Sequence, residues 1–151
     1  MASHRARITR KVRKSILVYC EGEHEEIFIK YLKQQYSSRI SNYTLKVYNA
    51  RGDANSVLDK VPRICSAYDL TLCIYDLDKP INQKKKKNVQ SVCKNIHFIE
   101  NMPCLEAFLL QILEDKDYSQ YKSKTCKARF EKHYLSRARR MDVRNYESIF
   151  P

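Results

Sequence analysis

At 151 residues the chain is long enough for one domain with its own hydrophobic core and too short for two comfortable ones. Lys and Arg number 29 against 17 Asp and Glu, a formal net charge of +12, so a polyanion is the expected partner, phosphate backbone ahead of an anionic membrane. No apolar run approaches the roughly 20 residues that span a bilayer and the N-terminus lacks the apolar stretch of a signal peptide, which argues for the cytoplasm.

Residues 1–14 hold six Lys or Arg and no acid, and read as a solvated basic arm ahead of a single domain over 15–151. Ser15 to Cys20 is a short apolar, β-branched run, the mark of a strand buried on both faces, and it ends in Glu21-Gly22. Ile27, Phe28, Tyr31, Leu32 and Tyr36 recur at helical spacing, so Glu23 to Tyr36 is an amphipathic helix whose first-turn acids suit the positive end of its dipole. Tyr43 to Tyr48 reads as a second strand. Arg51-Gly-Asp53 is a turn, with Asp53 or Asn55 capping a helix through Val57, Leu58, Val61 and Ile64 that Pro62 must kink or shorten.

Leu70 to Tyr75 is another continuous apolar strand, and it ends in Asp76-Leu77-Asp78. Lys84 to Lys87 belongs to a solvated loop or helix face, and Asn95 to Glu100 to a further strand. Pro103 opens a buried helix through Leu105, Phe108, Leu109, Ile112 and Leu113. From Lys116 to Arg144 there are ten Lys or Arg and three acids, anchored by Phe130, Tyr134 and Leu135, which predicts a basic helix. Strands alternating with helices imply an α/β fold: one mostly parallel open sheet with helices on both faces. With only Gly22 and Gly52 in the chain, neither a GxGxxG dinucleotide loop nor a Walker P-loop is present. The six cysteines show no CxxC pair and read as scattered buried thiols rather than a disulfide framework; zinc through Cys20 and His24 is the weaker alternative.

In an open parallel sheet, ligands gather beyond the carboxyl ends of the strands. Glu21 follows the first strand and Asp76-x-Asp78 the third, so three carboxylates remote in sequence are expected to meet there and hold Mg2+ or Mn2+. On an extended segment residues i and i+2 point the same way, which gives Asp76 and Asp78 a common side with Leu77 turned to the core. Such a cluster of like charges is unfavourable without a cation.

The segment Ser15 to Glu26, Tyr75-Asp-Leu-Asp78, Glu100-Asn-Met-Pro-Cys-Leu-Glu-Ala-Phe-Leu-Leu110 and Arg51-Gly-Asp-Ala-Asn55 together resemble the RloB-like proteins, over roughly Lys14 to Tyr134. That resemblance implies a Toprim-like domain, a Glu acting as acid/base or metal ligand at Glu21, and a metal-holding pair at Asp76 and Asp78. It also implies a supporting or second-metal role for Glu106 and, with a departure at Glu25 where the family often has Thr, for Glu26. Asn101 stands one residue earlier than the family's usual Asn.

The expected function is a metal-dependent nuclease acting on DNA or RNA, with a role in anti-phage defence and defence-system partner proteins implied by the resemblance alone. Arg51, Lys84, Lys85, Lys86, Lys87, Lys124, Lys127 and Arg129, with Lys122 and Arg137 to Arg140, are candidates to track the phosphate backbone. Tyr118, Tyr121 and Tyr134 are more readily core residues than stacking platforms. The alternatives are a non-catalytic nucleic-acid-binding module and a nucleotidyl or phosphoryl transferase.

Overall fold

The computed structural model describes residues 12–150. The chain runs β1 (Lys14–Cys20), α1 (Glu23–Gln35), β2 (Tyr43–Asn49), α2 (Ala54–Lys60), β3 (Leu70–Asp76), α3 (Gln83–Val92), β4 (Ile96–Asn101), α4 (Leu105–Glu114), α5 (Ser123–His133) and α6 (Val143–Glu147). The four strands form one open sheet in the order β2-β1-β3-β4, and every pairing is parallel. Most of the basic arm lies outside the described residues, although its last residue, Lys14, already pairs with Tyr43 as the first residue of β1.

Alternation along the strands sends side chains to two covered faces. Leu17, Tyr19, Cys73 and Tyr75 pack with Val57 and Leu58 of α2 and Val89 of α3. Val18, Cys20 and Ile74 face the other way, against Ile29 of α1. Phe28 and Tyr31 of α1 then join Leu109 and Leu110 of α4, Phe130 of α5 and Tyr146 of α6 in a further core. Leu109 is fully buried there, and truncating it to Ala would cost about 2–5 kcal/mol.

Two expectations are made definite and two change in detail. Pro62 ends α2 early, at Lys60, and the chain continues as a 3-10 turn over Val61–Arg63. Pro103 stands before its helix rather than at the first helical position, because Cys104 is the N-cap of α4. The lysine run belongs to α3, started by the Asn82 side chain accepting from the N–H groups of Lys84 and Lys85. The basic C-terminal segment is not one helix: α5 stops at His133, Leu135 is buried, and Asp142 caps the short α6.

The cysteines also depart from expectation. Cys65, in the turn after α2, and Cys93, at the end of α3, form a disulfide with their Cα atoms 5.8 Å apart, while Cys20, Cys73, Cys104 and Cys126 are buried thiols. Packing of α2 against α3 creates that proximity across 28 residues of sequence, a spacing that carries no local signal. No helix among the described residues is long and apolar enough to cross a membrane.

Candidate active site

The strand order places a reversal between β1 and β3: from β1 the chain steps outward to β2, then returns past β1 to build β3 and β4. Beyond the carboxyl ends of the strands flanking such a reversal, the connections diverge and leave a crevice. Glu21 leaves β1 here, its N–H bonded to the Ile74 carbonyl at 3.1 Å, and its Oε2 accepts the Asp76 N–H at 3.0 Å. Glu21 and Asp76 are therefore brought together from positions remote in sequence.

Asp76, the last residue of β3, is buried. Its Oδ1 accepts from the Leu105 N–H at 2.9 Å and from Asn101 Nδ2 at 3.3 Å, so the end of β4 and the first turn of α4 both hold it. Lys127 of α5 lies with its Nζ 3.8 Å from Asp76 Oδ2 and 3.6 Å from Asp78 Oδ2. The two aspartates thus share a side, while Leu77 between them packs on the core. Asp78 is the more open of the pair and also accepts from Ser123 Oγ at 3.1 Å.

Two further carboxylates complete the group. Glu106, in the first turn of α4, is buried; its Oε1 accepts from Arg140, and its Oε2 has no partner among the described residues. Glu25, in the first turn of α1, is also buried, with Oε2 accepting the Gly22 N–H at 3.1 Å. A Cβ at Gly22 would stand 3.2 Å from that oxygen, so the glycine makes room for the carboxylate. Glu21, Glu25, Asp76 and Glu106 line one cleft of about 430 Å3 together with Lys127 and Arg137.

Electrostatics follow from this crowding. Burial, then the charges of Glu25, Glu21 and Glu106, push the Asp76 carboxyl up to about 8 against the pull of Lys127. Burial likewise raises Glu21, opposed by the Asp76 N–H, and raises Glu25. Burial would raise Glu106 too, but the charge and hydrogen bond of Arg140 outweigh it and hold Glu106 below the usual carboxylate range.

One ligand atom from each of Asp76, Cys104 and Glu106 falls within a common 4.8 Å. Burial pushes the Cys104 thiol up to about 12, so it stays protonated and is a poor partner for a hard ion. The carboxylates are a different matter. Their oxygens, with one on Glu106 buried and unpartnered, make a donor set suited to a small hard cation such as Mg2+ or Mn2+. Cys20 and His24, the pair considered for zinc, are not in the ligand group found among the described residues.

The remaining candidates divide. Glu26 turns away from the cleft, paired with Lys30 at 2.6 Å and accepting from Asn49. Lys85 is paired with Asp59 and Lys86 with Glu100, each at 2.6 Å, and Arg129 with Glu114 at 2.8 Å. Arg51, Lys84, Lys87 and Lys124 are exposed and have no acidic partner among the described residues. Arg51 adopts a left-handed φ of 51° just before Gly52, where a Cβ would collide with the Ser56 side chain. Tyr118 is buried and donates to Glu114, as does the half-buried Tyr134, whereas Tyr121 is exposed.

Glu25 and Arg140 are the site residues that sequence reasoning missed in these roles. For Glu25 the signal was weak: it is one of three acids in the first turn of α1. Arg140 had none beyond membership of a basic run.

The model of one family, described as RloB-like protein, matches residues 16–150. Neither the curated proteins nor the solved structures offer a match.

Proposed function

The chain belongs to the RloB-like protein family, and from that premise we propose that it is a metal-dependent nuclease working at the crevice between β1 and β3. The observation that carries this reading is the convergence of four carboxylates from β1, α1, β3 and α4 on one cleft, in a chain of net charge +12. Acids brought together without a cation repel one another, and a strongly basic exterior draws a phosphodiester toward them.

In this reading Asp76 and Glu106 would hold Mg2+ or Mn2+, with the more open Asp78 next to Asp76 across Lys127. A divalent ion bound there supplies charge neutralisation at the scissile phosphate and polarises its P–O bonds. Glu21, whose carboxylate is anchored by the Asp76 N–H at 3.0 Å, orients the attacking water and takes its proton. Lys127 and Arg137 face the negative charge that gathers on the phosphate as the new P–O bond forms and the old one breaks. Exposed Arg51, Lys84, Lys87 and Lys124 guide the backbone. A Toprim-type ancestry and a place in anti-phage defence belong to the same proposal.

The test is incubation of the purified chain with plasmid DNA and with RNA, in Mg2+, Mn2+ or EDTA, beside Asp76→Asn and Glu21→Gln. Cleavage that needs the metal and is lost in both variants supports the nuclease. A second reading has one observation in its favour: Lys127 already bridges Asp76 and Asp78 as a built-in counter-ion. The acids are then structural and the chain a binding module; tight nucleic-acid binding with no metal-dependent cleavage would select it.

A further inference from the structure

Resting on the metal-site reading above, we propose that Arg140 is a positioning residue that occupies one oxygen of Glu106 and leaves the other for the cation, so that the site takes a single divalent ion.

Arg140 comes from a 3-10 turn, Arg139–Met141, remote from the acidic elements, yet it is only 3% exposed. A buried guanidinium is costly unless its charge is met. Here one terminal nitrogen bonds Glu106 Oε1 and the other bonds Glu131 Oε1 at 2.9 Å, with the Phe130 ring 5.7 Å from the guanidinium carbon. One prong of the guanidinium thereby occupies one oxygen of Glu106, while the other ties Arg140 to Glu131. The other oxygen of Glu106 is buried and has no partner among the described residues, and one oxygen of Glu106 lies within 4.8 Å of one on Asp76.

The number of ions follows from where the fixed cations stand. Arg140 flanks the acids on the Glu106 side, and Lys127 flanks them on the Asp76 and Asp78 side. A second metal at Glu106 would share that carboxylate with a guanidinium already in contact with it, and like charges at that range repel strongly in a buried cleft. Between these fixed cations, Asp76 and the unpartnered oxygen of Glu106 are the donors that would hold one ion.

The experiment titrates the full-length chain with Mn2+, followed by calorimetry and by electron paramagnetic resonance of free Mn2+, with circular dichroism confirming that each variant is folded. Wild type is expected to bind one ion per chain. R140Q should bind at least about tenfold more weakly, and R140K should recover part of that loss because it keeps the charge but not the fork. E131Q, which releases only the second prong, should weaken binding less than R140Q. If R140Q fails to fold, R140K and E131Q decide. Two ions per wild-type chain, or wild-type affinity in the folded Arg140 variants, would overturn the inference while leaving the nuclease reading intact. A folded wild type that takes up no Mn2+ sinks both.

Discussion

The carboxylate of Glu21 accepts the main-chain N–H of Asp76 at 3.0 Å, tying the residue after β1 to the last residue of β3. A side chain held by a neighbouring strand's backbone keeps its orientation whatever the surrounding loops do, because the strand's own ladder fixes the donor. The pairing of β1 with β3 is thus both a fold element and the frame of the site. It also explains why Asp76 is buried, since Glu21, Asn101 and the start of α4 close around it.

Removing the Asp76 charge should stabilise the metal-free protein. Its carboxyl is raised from the ordinary value to about 8, so the folded state binds the proton more tightly than the unfolded chain, and stability falls as pH rises from the unfolded value through about 8. Asp76→Asn keeps the acceptor for Leu105 and Asn101 and escapes that loss. At pH 8.5 without metal, it is expected to gain about 1–2 kcal/mol, or roughly 3–8 °C in melting temperature. At pH 4 the gain should shrink toward nothing. Scanning calorimetry at both pH values checks the sign; a variant less stable than wild type at pH 8.5 would contradict it.

Lys127 competes with any cation for Asp76 and Asp78, because its ammonium already lies within 4 Å of both: 3.8 Å from one and 3.6 Å from the other. Lys127→Met retains most of the stem that packs in the half-buried position and discards the charge. Its Mn2+ affinity should rise by about tenfold, the equivalent of one pKa unit of interaction, while turnover on nucleic acid falls. Affinity that stays level or drops would mean Lys127 does not share the ion's position.

Much of this was legible in the sequence, for physical reasons. Leu17 to Cys20 and Leu72 to Tyr75 are apolar on both faces because both faces are covered, so β1, β3 and the acids at their ends stand out. Glu25 did not stand out: three acids occupy the first turn of α1 and all suit its dipole, and only the angle at which the helix leaves Gly22 decides that Glu25 turns inward while Glu26 goes to Lys30. Arg140 closes the stretch Ser136 to Arg140, in which three of five residues are basic, and nothing in that stretch marks it as the one that is buried. The same limit hid the Cys65–Cys93 bond.

Nucleic-acid affinity should depend on the unpaired cations rather than on the lysine run as a whole. Lys85 and Lys86 each spend their charge on an acid at 2.6 Å, so their replacement frees Asp59 or Glu100 and changes the local field as much as it removes a phosphate contact. Lys84, Lys87, Arg51 and Lys124 have no such partner among the described residues. Each of those four that touches a phosphate contributes about 0.9 to the slope of log affinity against log salt on duplex DNA. Lys84→Gln with Lys87→Gln should therefore flatten the slope measured by fluorescence anisotropy. A steeper or unchanged slope would remove α3 from the binding surface.

Acid stability should depend on Glu114, at the end of α4. Arg129 donates to both of its oxygens, and Tyr118 and Tyr134 add their hydroxyls. The Arg129 hydrogen bond leads, against opposing burial, in holding the carboxyl down to about 2. A depressed carboxylate contributes stability that is fully present above the unfolded value, near 4.5, and is lost as pH falls from there through about 2. Glu114→Gln removes the charge that these donors converge on, and so should be less stable than wild type at pH 7 by an amount that shrinks steadily below pH 4.5. Urea unfolding of both proteins between pH 7 and pH 2.5 measures that convergence. A gap that is constant with pH would show that the loss comes from packing of the side chain and not from its charge.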